Sequence, residues 1–125
     1  METFDTNVVV RLLVDDDPEQ SAAVPRCWET ALGRDGAFLP KVVLAETIWV
    51  LTQAYRFERA AILDAVGALL RSRGLQVKDE AEVSAALAAC GEGSADFSDY
   101  LILESACSSA ALPVRTFDRR FARNS

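Results

Sequence analysis

Short apolar segments alternate with amphipathic helical stretches along this chain, and that alternation predicts an α/β domain built on a short parallel sheet with helices on both faces. Two further observations support the class. A length of 125 residues with 50% hydrophobic content is enough for one core that buries roughly two-thirds of the unfolded surface. No internal repeat, low-complexity segment or linker interrupts the chain, so residues 1–125 are expected to form a single domain.

The elements follow in order. Glu2 to Phe4 reads as a first strand ending at Asp5, and Asn7 to Val14 as a buried helix. Glu19 to Leu32 is a second helical segment, with Asp17 as N-cap, Gly33 as stop and Pro25 as a kink. Ala37 to Leu39 is a short buried strand. Val43, Ile48, Val50, Leu51 and Tyr55 then share one helical face, with Glu46 embedded among them. Glu58 to Arg73 carries Ile62, Leu63, Val66, Leu69 and Leu70 at helical spacing and stops at Gly74. Leu75 and Val77 bracket a third strand, Glu80 to Cys90 is helical, Gly91 to Ser94 is a loop, and Asp96 to Ala111 is helical again. Pro113 leads into Val114 to Phe117, expected as a last strand that ends at Asp118.

Acidic residues mark these boundaries. Asp5, Glu46, Asp99 and Asp118 stand at or beside the ends of elements, with Asp96 next to Asp99. Ligands of parallel α/β sheets bind beyond the carboxyl ends of the strands, where Asp5 and Asp118 are placed. Asp96 and Asp99, at i and i+3 in a first helical turn, share a face near the positive end of the helix dipole. A carboxylate buried at Glu46 among Val43, Leu44, Ile48 and Trp49 would need a cation or a hydrogen-bond donor. Each residue also has a plainer reading: Asp5 and Asp96 as helix caps, Asp118 as a turn residue, Glu46 on an exposed stripe. Converging carboxylates would raise one another's pKa, a cost that a divalent cation removes.

The chain contains no histidine, which excludes paired-imidazole catalysis and any Ser-His-Asp or Cys-His triad. An all-oxygen donor set suits Mg²⁺ or Mn²⁺ rather than zinc, and such ions can activate water to cut a phosphodiester. The net charge of −6 argues against a general nucleic-acid coat protein but not against a metal-dependent site. Most basic residues are Arg, and Arg115, Arg119, Arg120 and Arg123 crowd the last stretch, where they can hold a phosphate backbone or an acidic partner or form a solvated tail. Cys27, Cys90 and Cys107 lie in helical stretches without a C-x-x-C pair and read as small buried hydrophobes. No apolar run reaches the ~20 residues of a membrane span, and the first residues lack signal-peptide character, so a cytoplasmic protein without membrane association is expected.

Four segments resemble the motifs of the PIN-domain ribonucleases, and within them the VapC-type toxins of toxin–antitoxin pairs. Phe4-Asp-Thr-Asn-Val-Val-Val-Arg-Leu-Leu13 is similar to the opening motif and Val43-Leu-Ala-Glu-Thr-Ile-Trp-Val-Leu51 to the glutamate-bearing helix. Ala95-Asp-Phe-Ser-Asp-Tyr-Leu-Ile102 is similar to the third acidic motif and Thr116-Phe-Asp-Arg-Arg-Phe121 to the closing one. The resemblance covers nearly the whole chain. It implies a three-layer α/β/α sandwich and a Mg²⁺- or Mn²⁺-dependent endoribonuclease, inhibited by a cognate antitoxin and assembled as a homodimer or larger complex. It makes Asp5 and Asp99 the main metal ligands, with Glu46 and Asp118 completing an acidic pocket, Asp96 auxiliary, and Thr6 or Asn7 in support. Arg115, Arg119 and Arg120 are then candidates for RNA contact.

Three other readings compete. A PIN-like scaffold would bind RNA or protein without cutting. Val8 to Glu19 resembles the first strand and acidic pocket of a receiver domain, with Asp15 and Asp16 binding Mg²⁺, but the later strand-end aspartate and the lysine near the last strand are missing: the only lysines are Lys41 and Lys78. A phosphatase with Asp5 as nucleophile would carry a second aspartate where Asn7 stands.

Overall fold

The structure, a computed structural model, describes residues 1–14 and 35–124, with no side-chain detail for Arg120, Arg123 and Asn124. The helix expected over Glu19 to Leu32, its Asp17 cap, Pro25 kink and Gly33 stop, the Asp15 to Asp17 loop and Cys27 all lie outside the described residues. The chain divides into two compact units, Met1–Lys78 and Asp79–Ser125.

Among the described residues, the first unit holds a three-stranded parallel sheet in the order β1-β2-β3, formed by Glu2–Thr3, Ala37–Leu39 and Leu75–Val77. Thr3 faces Phe38, and Phe38 in turn faces Gln76. Central β2 is the best covered, β3 alternates buried and exposed, and β1 is an exposed edge. Gly36 sets the entry to β2: its φ is +79°, and a Cβ there would run into the Gly74 carbonyl oxygen. The two chain segments approach so closely because the Ala37 N–H donates to that same oxygen at 2.9 Å.

Between the strands run α1 (Thr6–Val14), α2 (Lys41–Gln53) and α3 (Arg59–Arg71). Val9 and Val10 of α1 are buried, and α1 packs on α2. The buried stripe of α2 is Val43, Leu44, Thr47 and Leu51, at helical spacing. Thr47 is tolerated there, at 1% exposure, because its hydroxyl donates to the Val43 carbonyl at 2.7 Å. This register turns Glu46 outward: it is exposed, contrary to the embedded position expected from its apolar neighbours. Trp49, one of those neighbours, is itself 65% exposed. In α3, Ile62, Val66 and Leu69 are buried as expected, with Gly67 between them. The helix ends at Arg71, before the expected Arg73, where Ser72 leaves helical geometry and donates to the Leu69 carbonyl.

The second unit is helical, with α4 (Glu80–Glu92), α5 (Phe97–Ser108) and α6 (Arg119–Asn124). Helices α4 and α5 pack together, burying Val83, Ala86 and Cys90 on one and Phe97, Tyr100 and Leu101 on the other. Helix α4 runs to Glu92, so Gly91 and Glu92, expected in a loop, are helical, and Gly93 is the C-cap. Helix α5 stops three residues before the expected Ala111. Ala110 N–H donates to the Cys107 carbonyl at 3.1 Å and Ala111 N–H to the Ala106 carbonyl at 2.8 Å, with Ala110 at φ +54°. This paired pattern around a left-handed residue is a Schellman motif, built here on alanine instead of glycine.

Two further expectations fail in this unit. Val114 to Phe117 is not a strand: the Asp118 N–H bonds the Thr116 hydroxyl at 3.0 Å, a local turn contact that replaces a ladder partner, and Pro113 offers no N–H. Cys107, read as buried, is exposed near the end of α5, whereas Cys90 is buried as expected. Among the described residues, no helix is long and apolar enough to cross a membrane.

Candidate functional site

Asp5 lies just beyond the carboxyl end of β1, where Phe4 N–H still bonds the Phe38 carbonyl at 3.3 Å and fixes the chain. Its Oδ1 accepts the Val8 N–H at 3.1 Å, and its backbone carbonyl accepts the Val9 N–H at 3.2 Å. Asp5 is therefore the N-cap of α1, and the cap bond holds an exposed carboxylate in a defined place. That bond uses one of about four lone-pair sites on the group, so the side chain keeps capacity for a cation. Thr6, half-buried, and Asn7, exposed, occupy the first two positions of α1. Glu46 projects into solvent from the second turn of α2, the helix on which α1 packs. Its exposure removes the argument that a buried charge there demands a cation.

The second unit carries the other three carboxylates. Asp96 is the N-cap of α5 by backbone geometry, with no side-chain cap bond, and its carbonyl accepts the Asp99 and Tyr100 N–H groups at 3.0 and 3.3 Å. Asp99, half-buried, stands in the first turn of α5, so both carboxylates lie near the positive end of that helix. The turn is anchored from below: Phe97 and Tyr100 are buried, and the Tyr100 hydroxyl accepts the Ala95 N–H at 3.3 Å. Asp118 precedes α6, and its Oδ1 accepts the Phe121 N–H at 3.2 Å while its carbonyl accepts the Ala122 N–H. Phe121 is buried and pins the helix. Arg115 and Arg119 are exposed on either side of Asp118.

Asp96, Asp99 and Asp118 thus lie in one unit, and Asp5, Thr6, Asn7 and Glu46 in the other. Among the described residues, no group of three or more Cys, Asp or Glu side chains is set to hold a metal ion by itself. The donor chemistry nevertheless fits Mg²⁺ or Mn²⁺. These ions take hard oxygen ligands, and Mg²⁺ is commonly bound through one or two carboxylates completed by water and substrate phosphate.

The model of the PIN domain matches residues 3–125 of this sequence. The chain belongs to the PIN domain family. No curated protein and no solved structure gives a significant match. PIN domains are in general nucleases, and the α/β class expected from the sequence, of the three-layer PIN kind, follows from that membership and from the parallel sheet. Two features of this PIN domain are not expected from its sequence: the helix after Asp118 and the full exposure of Phe117. The signal for that helix was present: an aspartate three residues before an apolar Phe121, the spacing of an N-cap to its N3 position.

Proposed function

We propose that this PIN domain is a metal-dependent endoribonuclease and the toxin of a VapC-type toxin–antitoxin pair. The family match over residues 3–125 supports nuclease chemistry, and the acidic residues at the four motif positions support the metal. Asp5 and Asp99 are the proposed principal ligands of Mg²⁺ or Mn²⁺, with Asp96 and Asp118 assisting and Glu46 completing the acidic set. When bound, such an ion lowers the pKa of water and stabilises negative charge on the scissile phosphate.

The chain's own contribution is placement. Cap bonds to Val8 and Phe121 orient the Asp5 and Asp118 carboxylates before any ligand arrives. The first turn of α5 keeps Asp96 and Asp99 in the positive field of its N-terminus. Thr6 and Asn7, beside Asp5, are proposed to support the site by hydrogen bonding, and Arg115, Arg119 and Arg120 to hold the RNA backbone. A cognate antitoxin and a homodimeric or larger assembly belong to the same proposal.

The test is cleavage of mixed cellular RNA by the purified protein in Mg²⁺, Mn²⁺ or EDTA, beside the double variant Asp5→Asn, Asp99→Asn. Discrete fragments that require metal and vanish in the variant would support the reading. No cleavage by a folded wild-type protein that binds RNA would make it a scaffold.

A further inference from the structure

Phe117 is the most exposed large apolar residue described, at 108%, and it stands beside a site carboxylate in a basic stretch. Its backbone is fixed from one side: the Thr116 hydroxyl accepts the Asp118 N–H at 3.0 Å, and Asp118 in turn caps α6 through Phe121. Val114 and Thr116 are half-buried, while Arg115 and Phe117, two residues apart, are both exposed to solvent. Their Cα atoms are at most about 7 Å apart. Arg119, exposed at the start of α6, stands equally far along on the other side.

An exposed ring between two cationic residues matches the recognition chemistry of unpaired nucleic acid. Bases present π-faces for stacking, and phosphates meet the guanidinium groups. A paired helix offers no free base face to such a ring, so the arrangement selects single-stranded RNA. We propose that Phe117 is a stacking platform for an unpaired RNA base, with Arg115 and Arg119 holding the adjoining phosphates. This inference rests on the nuclease reading above and adds to it a residue that positions substrate.

The experiment measures binding of a labelled, random-sequence, single-stranded RNA pool to the full chain in EDTA, where the metal-dependent chemistry is off. The variants are Phe117→Ala, Phe117→Tyr and Arg115→Ala. Phe117→Ala is expected to weaken binding by about tenfold or more without altering its salt dependence, whereas Phe117→Tyr keeps the affinity. Arg115→Ala is expected to reduce the slope of log affinity against log salt by about 0.7. In Mg²⁺, Phe117→Ala should raise KM for RNA and leave kcat unchanged. The proposal is overturned if Phe117→Ala binds like wild type, if Phe117→Tyr loses as much as Phe117→Ala, or if a duplex pool is weakened equally. It is also overturned if Phe117→Ala changes only the sedimentation of the protein, since the ring then serves a protein contact. A wild-type chain that binds no single-stranded RNA overturns it alone if cellular RNA is still cut, and together with the nuclease reading if it is not.

Discussion

Asp5 Oδ1 accepts the backbone N–H of Val8 at 3.1 Å, three residues along the chain. Asp118 makes the same contact with Phe121 at 3.2 Å. Two motif aspartates are thus also helix caps, and the capping role and the chemical role are separable because asparagine caps a helix about as well as aspartate but carries no charge.

Asp5→Asn and Asp118→Asn are therefore expected to unfold within about 0.5 kcal/mol of wild type in urea, while metal-dependent RNA cleavage falls at least tenfold, as for loss of a ligand's charge. The alanine variants should lose the cleavage and also about 1 kcal/mol of stability. Full activity in an asparagine variant would reduce that aspartate to a cap.

Glu46 and Leu44 make a contrasting pair on α2. Glu46 is exposed, so Glu46→Gln should change stability by no more than about 0.5 kcal/mol. Leu44 is fully buried, so Leu44→Ala should cost roughly 2–5 kcal/mol through lost burial and the cavity it leaves. A large destabilisation in Glu46→Gln, read by the denaturation midpoint, would contradict the outward register of the helix.

Gly36→Ala should be among the most damaging small substitutions in the first unit. The positive φ alone costs an alanine about 1–2 kcal/mol, and the new methyl also meets the Gly74 carbonyl, which cannot retreat without breaking its bond to Ala37. A variant with an unchanged melting temperature would show that β2 and the Gly74 turn can separate freely.

Ala110→Gly should have the opposite sign. Ala110 occupies the left-handed position of the Schellman motif, where glycine escapes the steric cost, so a gain of about 0.5–1 kcal/mol is expected after the entropy of the unfolded glycine is subtracted. Calorimetry of the purified variant checks it; a fall in melting temperature would mean that the α5 terminus relaxes in solution.

The elements read most accurately from sequence are those whose patterns are local. Ala37 to Leu39, a short apolar run, and Leu75 to Val77, two apolar residues alternating with Gln76, are strands that each follow a glycine with positive φ. Arg59 to Arg71 is a helix because its buried residues recur at helical spacing. Glu46 was misread because α2 has apolar residues on nearly every side, and periodicity then cannot choose which stripe turns inward; a buried Thr47, satisfied within its own helix, decides it. Val114 to Phe117 contains residue types that favour strands, but a strand also needs a ladder partner, and here the Asp118 N–H bonds the Thr116 side chain instead. Of the site, the positions of Asp5 and Asp96 at helix starts are legible, since capping residues announce themselves by spacing; Asp118, expected to end a strand or sit in a turn, instead caps α6. The exposure of Phe117 is not legible, because an aromatic residue in sequence carries no mark of which side of the chain it will occupy.

The unequal burial of two thiols gives the second unit an internal clock. Cys107 is open to solvent, so an alkylating reagent modifies it at once, whereas Cys90, 1% exposed in the packing of α4 and α5, reacts only when those helices part. With Cys27 replaced by serine, the slow phase of alkylation reports how often this region opens, and its dependence on added Mg²⁺ or RNA reads ligand binding as a change in opening frequency, without any need for cleavage.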